Sequence, residues 1–306
     1  MKLHRRLLKL SILSVVGLSM PGLVSAQESR FLKASISSAL VPSPVDVGVL
    51  LPPRYGSRSE GYPLLLLLHG GKGSSSFLLH MKPVIDRAWA RGDLPHMVVA
   101  TPSAARSFYL DYPDGSQMWE TFILTEVLPY LRDRYWVEPD KGTFLAGISM
   151  GGMGALRMAF KDPTAFRGVA VLEPAIPVVF SFDELDGASL RRDEVYLRLF
   201  GDPVDEDYYQ MNNPLFIARR DMAMLQDSRL ALYLEAGDLD QFGYDHSTEV
   251  LHRLLQEGGF KHEYRLLRGV GHFGWISPRI AEALKFIGKV SRDTRLGIVT
   301  SRPADR

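Results

Sequence analysis

The chain has 306 residues, of which 46% are hydrophobic and 23% charged, the composition of a globular protein with one large domain or two small ones. Its formal net charge is +1, so no basic surface predicts a nucleic-acid partner. The absence of cysteine excludes disulfides and cysteine chemistry, and a chain of this length can build a sufficient core without them.

The first 26 residues have the pattern of a secretory signal peptide. Basic residues between Lys2 and Lys9 precede an apolar run at 10–20, and small residues end at Ala26. The run is too short to cross a bilayer comfortably. We therefore predict cleavage after Ala26, export to the periplasm or the medium, and no stable membrane insertion afterwards. An uncleaved anchor is the alternative.

From residue 45 onwards, short apolar runs alternate with amphipathic stretches. The runs predict strands, several of them buried on both faces, at 45–52, 63–70, 96–102, 142–149, 168–173, 230–237 and 262–269. Apolar residues at helical spacing predict helices at 81–92, 119–135, 151–163, 247–259 and 277–290. This alternation predicts an α/β fold, with a mainly parallel, doubly wound sheet flanked by helices.

The stretch at about 176–228 interrupts the alternation and is too long for a simple connection between a helix and a strand. It contains a helical pattern, RRDEVYLRLFG. We predict a short helical insertion here, between the runs at 168–173 and 230–237. A partial cap over a pocket and an ordinary surface extension remain equally open. We predict that 27–306 form a single domain.

The sequence AGISMGGMGAL, at 146–156, contains Ser149 within the pattern Gly-x-Ser-x-Gly. Alone, this pattern occurs by chance. Here it joins a predicted strand to a predicted helix, which is the context that a nucleophile elbow needs. The sequence therefore predicts that Ser149 is a catalytic nucleophile.

A serine nucleophile needs a histidine base and an acid that orients it. His272, in GVGHFGW, follows the last predicted strand, and the carboxyl ends of parallel strands are where open α/β sheets place their sites. We predict His272 as the base. Asp238 and Asp240 both follow the preceding strand, and the residues alone favour neither; Asp245 is a weaker third candidate.

The oxyanion that forms during acyl transfer needs two backbone N–H donors. We predict Met150, which follows the nucleophile, and Gly71, which follows the predicted strand at 63–70. His69 lacks a partner at ligand spacing, so we predict no metal site.

Tyr109 and its neighbours form an aromatic-rich stretch that we predict as a substrate-binding wall, the alternative being core packing. The predicted wall consists of Tyr109, Tyr112 and Trp119.

Four segments in this order, LLLHGGKG, FLAGISMGGMGAL, EAGDLDQF and GHFGW, resemble the esterase D family of α/β-hydrolases. That family includes S-formylglutathione hydrolases, tributyrin-type esterases, feruloyl esterases and mycolyltransferase antigens. The resemblance runs from about Val45 to Ile287. It implies that the acid lies in a Gly-x-x-Asp-x-Phe stretch, which assigns the role to Asp240 with Asp238 in reserve, and it implies no cofactor.

These features together predict an exported serine carboxylesterase that hydrolyses short-chain or aryl and sugar esters through an acyl-enzyme. The expected partner is a small-molecule ester, and the oligomeric state is not predicted. An acyltransferase that uses the same triad is an alternative, and a hydrolase-fold binding protein is a third. The export pattern and the lack of cysteine argue against the S-formylglutathione hydrolase branch.

Overall fold

The computed structural model describes residues 28–178 and 194–295, so the predicted signal peptide lies outside the described residues. Eight strands of the described chain form one sheet in the order β1-β2-β4-β3-β5-β6-β7-β8. Their bounds are β1 Arg30–Ile36, β2 Val45–Leu51, β3 Leu64–Leu68, β4 Val98–Pro102, β5 Thr143–Ile148, β6 Gly168–Leu172, β7 Ala231–Gly237 and β8 Glu263–Leu267.

The sheet is mainly parallel, as predicted. Pairing is parallel from β4 through β3, β5, β6 and β7 to β8, while β1–β2 and β2–β4 are antiparallel. All five leucines of β3 and all six residues of β5 are buried, which explains why these strands are uninterrupted apolar runs. The strand β1 was not predicted. It lies at the edge of the sheet and exposes most of its residues, so it lacks an apolar run.

Helices cover both faces of the sheet. Their bounds are α1 Ser76–Arg91, α2 Trp119–Phe122, α3 Leu128–Arg134, α4 Met150–Lys161, α5 Glu194–Phe200, α6 Glu206–Asn212, α7 Pro214–Arg220, α8 Met222–Asp227, α9 Tyr244–Glu257 and α10 Ile276–Arg295. Every predicted helix is present. The helix predicted at 119–135 is interrupted by a π-helical segment, Ile123–Val127, between α2 and α3.

Two apolar cores lie on opposite faces of the sheet. Leu64 and Leu66 of β3 contribute to one core, and Leu65 and Leu67 contribute to the other, because alternate side chains of a strand point to opposite faces. The helices α1 and α10 supply the second core, and α4, α7 and α9 supply the first. The structure is therefore doubly wound, as the alternation of strands and helices predicted.

The insertion lies between β6 and β7, as predicted, and the described part of it holds α5, α6, α7 and α8. Its helix α7 contacts α4, the helix that follows Ser149, and also α9. Whether the insertion serves as a cap stays a prediction. Among the described residues, no helix combines the length and apolar character needed to cross a membrane.

Candidate active site

Ser149 lies at the sharp turn between β5 and α4. Its backbone has φ 55° and ψ −119°, a conformation that costs energy for any residue other than glycine. Its N–H donates to the Leu172 carbonyl at 2.9 Å, and its carbonyl accepts from Ala175 N–H at 3.0 Å. These bonds, to the last residue of β6 and to the chain that follows it, hold the strained turn in place. The side chain is left partly exposed at the carboxyl edge of the sheet.

The glycines of the motif are required by close backbone contacts. A Cβ atom on Gly147 would lie 2.3 Å from the carbonyl oxygen of Gly151. A Cβ atom on Gly151 would lie 2.3 Å from the carbonyl oxygen of Leu68. Both distances are far below van der Waals contact, so only glycine lets α4 begin this close to β3 and β5. The Gly-x-Ser-x-Gly pattern is thus explained by the packing of the elbow.

His272 and Asp240 form a buried pair in the loops that follow β8 and β7. The His272 Nδ1 and Asp240 Oδ2 atoms are 2.6 Å apart, and the residues are only 2% and 9% exposed. Asp240 Oδ1 accepts the Phe242 N–H at 2.7 Å. A proton on Nδ1 leaves Nε2 unprotonated, which is the tautomer that a general base needs.

The environment of Asp240 favours its ionised form. Burial alone would raise the pKa of this carboxyl, but its interactions with His272, Glu173 and the Phe242 N–H outweigh burial and hold the pKa below its usual range. Asp240 is therefore a carboxylate at neutral pH. It can stabilise the positive charge that develops on His272 when the histidine accepts a proton.

Asp238, the other candidate acid, has different partners. Its Oδ1 accepts the Gly269 N–H at 2.6 Å, and its Oδ2 pairs with Arg268 at 3.3 Å. These contacts tie the turn after β7 to the turn after β8. Of the two aspartates that the sequence left open, the structure brings Asp240 to His272.

The two predicted oxyanion donors lie beside the nucleophile. Met150 is the first residue of α4, where a backbone N–H has no partner within the helix. A Cβ atom on Gly70 would lie 3.6 Å from the Cβ of Ser149, so the loop that carries Gly71 passes next to the serine. Gly71 itself is partly exposed.

His69 fixes the shape of this loop, a role that sequence reasoning missed. Its ring donates from Nδ1 to the Gly70 carbonyl at 2.7 Å, and its Nε2 accepts the Ala104 N–H at 3.0 Å. Burial lowers the pKa of the imidazole, so it stays neutral and keeps both bonds. A Cβ atom on Gly73 would lie 2.7 Å from the Cβ of His69, which requires glycine where the loop folds back.

The three aromatic residues predicted as a substrate wall are buried, which corrects that prediction. Tyr109 is fully buried, and Tyr112 and Trp119 are each only 5% exposed. Tyr112 lines a cavity of about 500 Å³ that includes none of the triad candidates. Trp119 packs edge-on against Phe122, with ring centroids 6.3 Å apart. The alternative of core packing therefore describes them better.

A buried ion pair supports the segment that contains Tyr109. Arg157, on α4, is fully buried and pairs with Glu120 of α2. The same guanidinium donates to the carbonyls of Phe108 and Tyr109, both of which have positive φ. Burial alone would raise the pKa of Glu120, but Arg157 and Lys161 together hold it below its usual range. The elbow helix is thereby tied to the loop that lies under the oxyanion donors.

Exposed aromatic side chains surround His272 instead of the predicted wall. The ring centroids of Phe242 and Phe273 lie 4.9 and 4.8 Å from that of His272, and both rings stand edge-on to it. Phe242 is 55% exposed and Phe273 is 69% exposed. Both aromatics stand next to the triad candidates in EAGDLDQF and GHFGW, so proximity in sequence to Asp240 and His272 is the signal that could have identified them.

Glu173 is a further buried carboxyl beside the pair, and no sequence pattern singled it out. Glu173, Asp240 and His272 are the one group among the described residues whose ligand-type atoms all lie within 4.8 Å of one another. Arg279 donates to Glu173 at 2.8 Å, so a cation already occupies this side of the group. We therefore interpret the group as a hydrogen-bond network.

Comparison with known proteins identifies the family of this fold. Residues 37–273 match the model of the Esterase family, whose description is "Putative esterase". An acetyl esterase from Caldicellulosiruptor saccharolyticus is 30% identical over 119 residues, which cover 39% of this chain and 43% of the relative. An esterase from Mycobacterium tuberculosis strain H37Rv is 31% identical over 157 residues, which cover 47% of this chain and 33% of the relative.

Solved structures show the same fold. The structure of a ferulic acid esterase superposes with a TM-score of 0.71 at 23% identity and covers 86% of this chain and 99% of that chain. This likeness confirms the α/β-hydrolase fold. The chain spans less than half the length of each of these two curated relatives.

Proposed function

This chain belongs to the Esterase family of α/β-hydrolases, and from this premise we propose that it is a serine carboxylesterase. One observation carries the proposal: the buried Asp240–His272 hydrogen bond of 2.6 Å lies at the same edge of the sheet as the strained Ser149 turn. A histidine oriented by a carboxylate next to an elbow serine is the arrangement that acyl transfer requires. The esterase names of the curated relatives support the same activity.

In the proposed reaction, Ser149 Oγ attacks the ester carbonyl while His272 Nε2 accepts the hydroxyl proton. The Met150 and Gly71 N–H groups donate to the oxyanion of the tetrahedral intermediate. The intermediate collapses, the C–O bond to the alcohol breaks, and His272 returns the proton to the leaving oxygen. Water, deprotonated by His272, then attacks the acyl carbonyl. The C–O bond to Ser149 breaks, His272 returns the proton to Ser149 Oγ, and the acid is released.

The exposed aromatic rings indicate where the alcohol part of the ester binds. His272 protonates the leaving alcohol, so this part of the substrate must lie next to the imidazole. Phe242 and Phe273 flank that imidazole and present apolar surface to it. We propose short-chain or aryl and sugar esters as substrates, with the apolar face of the alcohol moiety packed on these two rings.

We also propose that the enzyme acts outside the cytoplasm, on the strength of the signal-peptide pattern of residues 1–26. Expression of the full chain with its N-terminus intact, followed by N-terminal sequencing of the exported product, tests this. We expect the mature protein to begin at Gln27. A product that retains Met1 and stays with the membrane fraction would support the uncleaved anchor instead.

Hydrolysis of p-nitrophenyl acetate and butyrate by the wild type and Ser149→Ala tests the activity. We expect the variant to lose at least a thousandfold in kcat, because it lacks the nucleophile. The variant Ser116→Ala, which changes an exposed serine bonded to Asp114, is the matched control and should keep wild-type turnover. A fluorophosphonate probe should label the wild type and the control but not Ser149→Ala. Equal turnover by wild type and Ser149→Ala would refute the proposal.

A further inference from the structure

Glu173 directly follows β6 and lies behind the Asp240–His272 pair. The residue is fully buried and has a positive φ of 45°. Its N–H donates to the Glu235 carbonyl at 2.8 Å, which fixes the backbone against β7. Strain of this kind persists where surrounding contacts determine a residue's position. The position of the carboxyl is therefore set by the fold rather than by chance packing.

The two carboxyl oxygens of Glu173 have unequal surroundings. Oε1 accepts the Gly237 N–H at 2.8 Å and the Arg279 Nη2 at 2.8 Å. Oε2 is buried, and no N–H donor reaches it within the described chain. An oxygen atom of Glu173 and an oxygen atom of Asp240 lie within 4.8 Å of each other. Because Oε1 is occupied, we take Oε2 as the oxygen that faces Asp240.

Two carboxylates in this position cannot both be ionised without a large cost, since like charges repel and burial removes the water that would screen them. Glu235 is also present on β7, where one oxygen accepts from Arg279 Nε at 2.6 Å and the other accepts from the Tyr233 hydroxyl. The Arg279 guanidinium is thus shared by the carboxyl groups of Glu173 and Glu235, and the Asp240 carboxyl lies beside Glu173. A proton on one of them lowers the excess negative charge.

Each of the other two carboxyls has hydrogen-bond donors of its own. Asp240 accepts from His272 and from the Phe242 N–H, and Glu235 accepts from Arg279 and Tyr233. Burial, followed by the hydrogen bond to Asp240, raises the pKa of Glu173 to about 8, although Arg279 opposes this shift. Among the three carboxyls, the proton therefore belongs on Glu173.

We propose that Glu173 is a positioning residue for the triad: its carboxyl stays protonated at neutral pH and donates an O–H hydrogen bond to the Asp240 carboxylate. This inference rests on the proposed function of Ser149, Asp240 and His272. Asp240 then accepts three hydrogen bonds, from His272, Phe242 and Glu173, which fix both of its oxygens. Arg279, held by Glu235, aligns Glu173 through Oε1.

The proton has a consequence for the charge of the site during catalysis. With Glu173 neutral, the Asp240 carboxylate has no second negative charge from Glu173 beside it, and the positive charge that His272 gains during catalysis balances it. Ionisation of Glu173 removes the O–H donor and adds a negative charge beside Asp240. The structure therefore predicts that turnover falls as Glu173 loses its proton.

The pH dependence of kcat/KM for p-nitrophenyl acetate, corrected for spontaneous hydrolysis, tests the proposal in the wild type, Glu173→Gln and Glu173→Ala. We expect the wild type to decline above about pH 8, following the ionisation of Glu173. Glu173→Gln cannot ionise, its amide can donate to Asp240, and its oxygen can accept from Gly237 and Arg279. It should keep kcat within a few-fold and lack this decline.

Glu173→Ala removes the donor, and we expect kcat to fall about tenfold to a hundredfold with little change in KM, the loss expected for a hydrogen bond to a charged group. Glu263→Gln, which changes a partly exposed glutamate of β8, is the matched control and should follow the wild-type profile. A decline in Glu173→Gln at the same pH as in the wild type would overturn the proposal. So would a loss in Glu173→Gln equal to that in Glu173→Ala.

A spectroscopic measurement keeps the inference distinct from the proposed function. The infrared difference spectrum between the wild type and Glu173→Gln at pH 6 should contain a carbonyl band of a protonated carboxylic acid that disappears as the pH rises past 8. Absence of that band overturns the inference even if the enzyme is active. Failure of the wild type to hydrolyse esters or to react with a fluorophosphonate would refute the proposed function. The carbonyl band would still be expected in that case, because it reports only the proton on Glu173.

Discussion

The hydroxyl of Tyr109 is bonded to the backbone of His69, 40 residues earlier in the chain. It accepts the His69 N–H at 2.9 Å and donates to the His69 carbonyl at 3.3 Å. His69 immediately precedes Gly70 and Gly71, the loop that carries one proposed oxyanion donor. The tyrosine hydroxyl therefore holds the backbone of this loop in position and has no need to contact a substrate.

Removal of this hydroxyl should impair catalysis more than binding. In Tyr109→Phe we expect kcat to fall by about tenfold with KM little changed, because a misplaced oxyanion donor loses part of the hundredfold to thousandfold that such a donor supplies. Steady-state kinetics with p-nitrophenyl butyrate measure the effect. Tyr112→Phe removes the hydroxyl of another buried tyrosine that does not contact His69, and it should keep wild-type kcat. Equal kcat values for the two variants would contradict the role assigned to Tyr109.

The two aspartates after β7 should differ sharply in their importance. Asp240→Asn removes the carboxylate that stabilises the charged form of His272 and favours the wrong tautomer, so we expect kcat to fall about a thousandfold to ten-thousandfold. Asp238→Asn affects an aspartate that bonds Gly269 and Arg268, and its kcat should stay within a few-fold of the wild type. Comparable losses in both variants would show that the acid has been assigned incorrectly.

Local sequence predicted the parts of the site that depend on local structure. Ser149 and His272 stand at strand ends, where the motif and the strand pattern are both visible in a short window. The choice between Asp238 and Asp240 needed either the family resemblance or the three-dimensional contacts, because the two residues share one turn. Tyr109 was assigned to the wrong surface, since its partner is 40 residues away and aromatic composition alone does not distinguish a wall from a core.

The role of Glu173 was even harder to predict from the sequence. It follows an apolar strand and matches no motif, and its importance arises only when β6, β7, the loop after β8 and α10 meet. The edge strand β1 was not predicted for a related reason. Most of its residues are exposed, and its sequence contains no apolar run. Features that depend on contacts between distant residues were therefore the ones that could not be predicted from the sequence.

The aromatic rings beside His272 should select the alcohol part of the substrate. In Phe242→Ala and Phe273→Ala we expect KM to rise several-fold for acetate esters of apolar or aryl alcohols, because each ring contributes apolar contact area. Methyl acetate, which lacks such a group, should be affected less. Met224→Ala, which changes an exposed side chain of α8, is the control. A uniform change across all alcohols would argue against a binding surface at this position.

The buried Arg157–Glu120 pair should contribute to stability far more than a surface pair does. We expect Arg157→Ala to lower the free energy of unfolding by about 3 to 5 kcal/mol, because it leaves the Glu120 carboxylate buried beside Lys161 alone and two carbonyls without donors. Urea unfolding monitored by circular dichroism measures the loss. Arg253→Ala breaks an exposed pair with Glu249 on α9 and should change stability very little. Similar losses in the two variants would show that burial does not set the cost.

The proton on Glu173 should also appear in the pH dependence of stability. The pKa of Glu173 is raised from 4.5 to about 8 in the folded protein, so between these pH values the folded protein holds a proton that the unfolded chain has released. Its contribution to stability is complete below the lower value, falls as pH rises, by at most about 1.4 kcal/mol per pH unit, and is lost above pH 8. Glu173→Gln carries no such proton and should lack this fall.

The free energy of unfolding, measured in urea at pH 5, 6, 7 and 8 for both proteins, isolates this term, because all other titrating groups are shared. We expect the stability of Glu173→Gln relative to the wild type to increase steadily from pH 5 to pH 8. Glu263→Gln, with a partly exposed side chain on β8, should keep a nearly constant difference from the wild type over the same range. A constant difference for Glu173→Gln as well would mean that Glu173 is ionised throughout, and its carboxyl would then be an acceptor for Arg279 and Gly237 but not a donor to Asp240.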